Sequence, residues 1–232
     1  MKKITGLTLA AIASFSLTAG AAGFSDSSGH WAETYINALS ESGVVNGVTD
    51  TKFEPEGIVT RAQYLKMIME AVGVPAAEYR YGECLDASAG DWYAPYLQAA
   101  LDAGLIPESM ITGMDIKVEY EVDENGSAVS SKVIYSGAFN GNLPITREEM
   151  AVLTQYFYQY SKTVLTDERV EFDNKSADSF SDSADISDWA KISVSQAVEN
   201  GFIKGMDDGT FMPKATATRA QAAAIIYRVI NS

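Results

Sequence analysis

Three arginines stand where charge chemistry is easiest to arrange. Arg61, Arg147 and Arg219 occur in Thr60-Arg61-Ala62-Gln63, Thr146-Arg147-Glu148-Glu149 and Thr218-Arg219-Ala220-Gln221. This Thr-x-x-Gln/Glu spacing is a capping box: the threonine hydroxyl accepts from the third helical amide, and the Gln or Glu side chain reaches back to the threonine amide. Thr60, Thr146 and Thr218, with Gln63, Glu149 and Gln221, are therefore expected to be structural caps. Each arginine then occupies the first helical residue, where free amides and the helix dipole favour an anion. Its planar fork suits a carboxylate. Two roles follow from the pattern: a surface ion pair with Asp26, Asp86 or Asp182, or contact with the carboxylate of a ligand. Three tryptophans, Trp31, Trp92 and Trp189, offer either core anchors or flat apolar faces for a sugar ring.

The elements that hold these groups repeat along the chain. Twelve residues after each tryptophan lies a glycine, Gly43, Gly104 or Gly201, followed by two apolar residues. Apolar residues five and eight after each tryptophan keep helical spacing, and the glycine supplies a left-handed C-terminal cap. Downstream, the apolar positions four, seven and eleven after each threonine predict a second, amphipathic helix. A phenylalanine, Phe53, Phe139 or Phe211, stands seven residues before each threonine. Each unit thus reads helix, glycine turn, extended loop, capped helix. The expected organisation is a signal peptide at 1–22, a first copy at 23–83, a second at 84–160, a linker at 161–179 and a third copy at 180–232. Copy two carries 25 extra residues between glycine and threonine, within 107–138, where alternating runs flank Glu124-Asn125-Gly126. That pattern predicts a β-hairpin. The fold class expected is mainly α: three helix–loop–helix prongs in a pseudo-threefold spindle, with the hairpin as an excursion from copy two.

Other chemistries find little support. His30 occupies a position that Asp91 and Asp188 fill in the other copies, which reads as a polar helix start. Cys84 takes the place of Phe24 and Phe180, which reads as a small buried residue. With one histidine and one cysteine, neither a metal set nor a nucleophile–base pair is assembled, so no metal or cofactor is expected. The acidic loops at Asp182 to Asp188 and Asp207-Asp208 read as solvated turns rather than calcium sites. No acidic pair recurs with a cleft signature, and the chain is not expected to be an enzyme. The formal charge of −14 argues against nucleic acid, whose phosphates need clustered Lys and Arg. Met1-Lys2-Lys3, the apolar run from Ile4 to Thr18 and the small residues Ala19 to Ala22 read as a secretory signal, too short to span a bilayer comfortably. No later segment approaches a membrane span.

Phe180-Ser181-Asp182, Trp189-Ala190, Gly201-Phe202-Ile203-Lys204-Gly205, Asp208-Gly209-Thr210-Phe211-Met212-Pro213 and Thr218-Arg219-Ala220-Gln221 together resemble the surface-layer homology family. Copy one is nearly as close, with Phe24-Ser25-Asp26, Trp31-Ala32, Gly43, Gly47 and Phe53-Glu54-Pro55. Copy two departs, with Cys84-Leu85-Asp86, no second loop glycine and the insertion. The resemblance implies three modules whose Trp-bearing helices pack centrally. It also implies grooves between prongs that hold secondary cell-wall polymers, often ending in pyruvylated N-acetylmannosamine. Its implied glycan-contacting residues are Arg61, Arg147, Arg219, Trp31, Trp92, Trp189, Gly47 and Gly205. The sites of copies one and three are expected to be the most complete, and that of Arg147 the least certain. The implied function is non-covalent attachment of a secreted protein to the wall polysaccharide at the cell surface, or to peptidoglycan itself as in didermic bacteria. The alternative is a surface interaction protein with decayed grooves that docks a protein through the copy-two hairpin.

Overall fold

The structure, a computed structural model, describes residues 23–81, 84–165 and 176–232. The expected signal peptide at 1–22 and residues 166–175 of the expected linker lie outside the described residues.

Among the described residues six α-helices run in chain order: α1 (Glu33–Glu41), α2 (Arg61–Val72), α3 (Ala94–Asp102), α4 (Arg147–Tyr160), α5 (Lys191–Glu199) and α6 (Arg219–Ile230). Helices α2, α4 and α6 begin alike. Thr60, Thr146 and Thr218 adopt extended backbone, and each hydroxyl accepts from the amide of Gln63, Glu149 or Gln221, whose side chain accepts the threonine amide in return. The shorter helices α1, α3 and α5 lack a side-chain cap. They end at Gly43, Gly104 and Gly201, all with positive φ, and the next amide folds back onto a carbonyl of the last turn.

The three capped helices pack on one another at the centre, and each carries one tryptophan-side helix on its outer flank: α1 on α6, α3 on α2, α5 on α4. This corrects an expectation: the tryptophan helices do not meet around an axis; the capped helices do. The first helix of each unit packs on the second helix of the copy before it, in cyclic order. The reason is apolar content. On α2, Tyr64, Leu65, Ile68 and Met69 are fully buried, covering several faces, whereas on α1 only Ile36 and Leu39 are buried. A helix apolar on several sides must be enclosed, and one with a single stripe belongs outside. Between α2 and α4 the Tyr64 hydroxyl meets Thr154 Oγ1 at 2.6 Å, which satisfies two buried polar groups; burial holds the Tyr64 hydroxyl above its ordinary pKa.

The mainly α expectation is also corrected: the chain is α plus β. Strands β1 (Thr112–Val122) and β2 (Ala128–Ala138), eleven residues each, form an antiparallel hairpin in the insertion. More β pairing closes the centre. Val59 N–H donates to Ala217 O (3.0 Å), Ala217 N–H to Ile145 O (2.9 Å), and Ile145 N–H to Val59 O (2.9 Å). These are the residues just before each capping threonine, and antiparallel bridges at Ile58–Thr218, Thr60–Pro144 and Thr146–Thr216 flank the ring. One- and two-residue extended stretches carry no periodicity, so a pattern reading passes over them. Within the expected linker, 161–165 continue α4 as a π-helical turn. Ser176–Ser179 form a short helix anchored by Ala177 N–H to Ser195 Oγ at 3.0 Å.

Candidate functional site

Each copy builds the same loop, and an arginine from another copy grips it. Asp26 accepts the amides of Phe53 and Glu54 (both 2.9 Å), Asp86 those of Phe139 and Asn140 (2.7 and 2.9 Å), and Asp182 those of Phe211 and Met212 (both 2.7 Å). The second residue of each pair holds a left-handed backbone, at φ 58°, 55° and 57°. For a residue other than glycine that conformation costs roughly 1–2 kcal/mol, which the carboxylate clamp offsets. At Asp26, burial pushes the carboxyl up, but the donated amides outweigh it and leave the pKa below the ordinary range.

The arginines take the other side of the phenylalanine peptide. Arg219 Nε donates to Phe53 O at 2.7 Å and Nη2 to Asn46 O at 2.8 Å, with its guanidinium 4.4 Å from the Phe53 ring centre. Arg147 repeats this on copy three, with Nε to Phe211 O at 2.7 Å, Nη2 to Lys204 O at 3.3 Å, and the Phe211 ring at 5.2 Å. Arginine and aspartate therefore do not pair directly; they hold opposite faces of one peptide. Burial lowers the pKa of all three arginines, and neighbouring carboxylates push back: Glu149 and Asp86 at Arg61, Asp182 at Arg147, Glu54 and Asp26 at Arg219. An arginine keeps its proton under such shifts.

The helix-start amides are not free. Arg61 and Ala62 donate to Leu143 O and Gly141 O, Arg147 and Glu148 to Ala215 O and Pro213 O, and Arg219 and Ala220 to Gly57 O and Pro55 O. The third amide goes to the threonine. The expected anion site on the bare helix end is thus corrected: loop carbonyls of the next copy fill it. What remains for a ligand is the guanidinium edge itself. Arg147 and Arg219 each leave Nη1 without a protein partner among the described residues.

Those edges open into two related grooves. One, of about 480 Å³, is lined by Trp31, Arg147, the loop 203–207 and the α6 stripe of Gln221, Ala224, Ile225 and Arg228. The other, of about 130 Å³, is lined by Trp92, Arg219, Val44 to Asn46 and the α2 stripe of Gln63, Lys66, Met67 and Glu70. Each groove draws on all three copies in the same cyclic order: arginine from one, loop and helix from the next, tryptophan from the third. Trp31, Trp92 and Trp189 are 57%, 50% and 39% exposed, so their rings are not core anchors. The capping Gln221 and Gln63 spend their carbonyl oxygens on the threonine amides, and their NH₂ groups have no acceptor among the described residues. Gly205 lines the first groove, and an added Cβ there would lie 2.5 Å from the Phe180 ring; Gly47 packs against the Phe24 ring in the same way but does not line the second groove.

The sequence missed Lys204, Arg228, Lys66 and the glutamine NH₂ groups. Gln221, Ala224 or Ile225, and Arg228 recur at helical spacing, and that stripe was a usable signal. Arg228 Nη1 donates to Phe202 O at 2.8 Å and its guanidinium lies 5.4 Å from the Tyr35 ring.

Arg61 differs. Its Nη1 pairs with Glu149, its Nη2 donates to Met110 O, and its Nε is buried without a partner among the described residues. The doubt about the Arg147 site rested on the copy-two loop, but cyclic exchange sets Arg147 on the well-formed loop of copy three and gives the altered loop of copy two to Arg61. His30 Nδ1 accepts Ala32 N–H at 3.1 Å and Nε2 meets Glu56 at 2.7 Å, a helix-start role. Burial, with Asp102 and Asp86 nearby, pushes the Cys84 thiol up to about 12, so it stays protonated and unreactive.

The S-layer homology domain family matches this sequence at residues 23–65 and 179–223, which fall in copies one and three. The chain carries S-layer homology domains. It is 35% identical over 90% of its length to an amylopullulanase from Thermoanaerobacterium thermosulfurigenes, and 30% identical over 86% to the S-layer protein sap of Bacillus anthracis. It is also 34% identical over 41% of its length to a cellulosome-anchoring protein from Acetivibrio thermocellus. The chain spans 9%, 20% and 20% of those proteins.

Proposed function

We propose that these S-layer homology domains bind an acidic saccharide of the bacterial cell wall, a secondary polymer whose pyruvyl ketal supplies the carboxylate, and so hold the secreted chain at the cell surface. The observation that carries this reading is the pairing, twice, of an exposed tryptophan with an arginine that is anchored through Nε and Nη2 and unspent at Nη1. The ring stacks on the sugar, and the Nη1 edge of the guanidinium and the glutamine NH₂ take the carboxylate and hydroxyls. Within a chain of net charge −14, the larger groove gathers Arg147, Lys204 and Arg228 against Asp207 alone, which concentrates positive potential where an anion would sit. One charge-assisted hydrogen bond contributes roughly 1.5–3 kcal/mol, so a single site is weak, and two on one polymer gain by avidity. The relatives named for S-layers and cellulosome anchoring agree with this role. The amylopullulanase match covers only 9% of that protein and carries no argument for catalysis here. Co-sedimentation with purified walls tests the reading: the native chain pellets, and Trp31→Ala/Trp92→Ala stays in the supernatant while keeping its thermal midpoint.

A second reading keeps the hairpin as the working surface. Ile116, Val118, Tyr120 and Val122 alternate along β1, and all are exposed. Deleting 113–137 without loss of wall binding separates that surface from the grooves.

A further inference from the structure

We infer that Glu149 closes the third groove to acidic sugars, so that the chain carries two saccharide sites rather than three; this rests on the glycan reading above. The cyclic order assigns the third groove Arg61, the copy-two loop, the α4 face starting at Glu149, and Trp189. In the other two grooves the third helical residue is neutral, Gln221 or Gln63, and the arginine keeps Nη1 unspent. At α4 it is glutamate. One carboxylate oxygen completes the cap on Thr146 N–H at 2.9 Å, and the other takes Arg61 Nη1. Both side chains are well covered, 8% and 17% exposed. Arg61 Nη2 is spent on Met110 O, in the short helical turn Glu108–Met110 that replaces the glycine loop. The protein's own carboxylate thus holds the position that a sugar carboxylate would need. A ligand would have to displace it and then sit beside a like charge. Glu149 is in this sense a specificity-determining residue, and Arg61 a clamp between copies.

The three tryptophans report the grooves one by one. Indole N–H signals are followed by NMR while pyruvylated N-acetylmannosamine is titrated into the full chain. The expected result is movement of the Trp31 and Trp92 signals with a fixed Trp189 signal. Glu149→Gln keeps the cap, as Gln63 and Gln221 already do, and removes the charge. In that variant the Trp189 signal is expected to move as well, with the other two responses unchanged; the chain stays folded, with a lower midpoint of thermal unfolding because the charged bond to Arg61 is lost. Movement of all three signals in the native chain overturns the inference while leaving the glycan reading intact; a Trp189 signal that stays fixed in a folded Glu149→Gln variant removes Glu149 as the cause. Silence of all three signals overturns the glycan reading and this inference with it. The native titration decides the number of sites without any variant.

Discussion

Replacing Arg147 with lysine separates charge from geometry. The positive charge is kept, but the fork is not. Arg147 is 5% exposed and spends Nε on Phe211 O at 2.7 Å and Nη2 on Lys204 O at 3.3 Å. A lysine ammonium can satisfy one of the two carbonyls. The Phe211 carbonyl belongs to a fully buried residue, so the loss is one charge-assisted hydrogen bond, about 1.5–3 kcal/mol. For a chain of this size that lowers the thermal midpoint by roughly 3–12 °C. Urea unfolding measures the same quantity and should show a lower midpoint with an unchanged slope. Saccharide affinity of the larger groove should fall at least tenfold, because Nη1 disappears as well. If Arg147→Lys unfolds within about 0.5 kcal/mol of the native chain and pellets with walls equally well, the bidentate clamp is not what the arginine supplies.

Four further outcomes follow. Asp26, with its carboxyl held below the ordinary range by the amides of Phe53 and Glu54 despite burial, contributes stability that is present above that range, near 3.8, and lost as pH falls through its lower folded value. Urea midpoints at pH 6 and pH 2.5 should differ less in Asp26→Asn than in the native chain. Ala217→Pro removes the amide that bonds Ile145 O at 2.9 Å and should cost about 3 kcal/mol or more, with calorimetry still showing one transition because the ring ties all copies together. Gly205→Ala forces a methyl against the Phe180 ring and should destabilise by about 1–3 kcal/mol in urea titration. Trp31→Ala should leave stability within about 1 kcal/mol, since the ring is 57% exposed, while weakening wall binding.

The local chemistry was legible because it is periodic. Thr60-Arg61-Ala62-Gln63 and its two counterparts announced capped helices, and the tryptophan-to-glycine interval announced the shorter ones. The alternation from Ile116 to Val122 and around Val129 to Tyr135 gave the hairpin, although the strands extend further at the open end, from Thr112 and to Ala138. What stayed hidden was which copy completes which. A helical stripe states that it must be covered, not by whom, so the exchange of α1, α3 and α5 between copies left no local trace. The same exchange sets the altered copy-two loop against Arg61 rather than Arg147. The occupied helix-start amides were hidden too, since their acceptors, such as Gly141 and Leu143 for α2, come from loops in another copy. The tryptophans read more readily as core than as surface because each leads an amphipathic helix, yet each stands in the turn ahead of that helix rather than on its buried stripe.

The central claim is that Arg147 and Arg219, held by carbonyls and left open at Nη1, receive a sugar carboxylate beside Trp31 and Trp92. It is tested most directly by measuring binding of the native chain to purified walls before and after enzymatic removal of the pyruvyl group. The account predicts strong retention before treatment and release after it. Equal retention on pyruvyl-free walls, or on bare peptidoglycan, would contradict it.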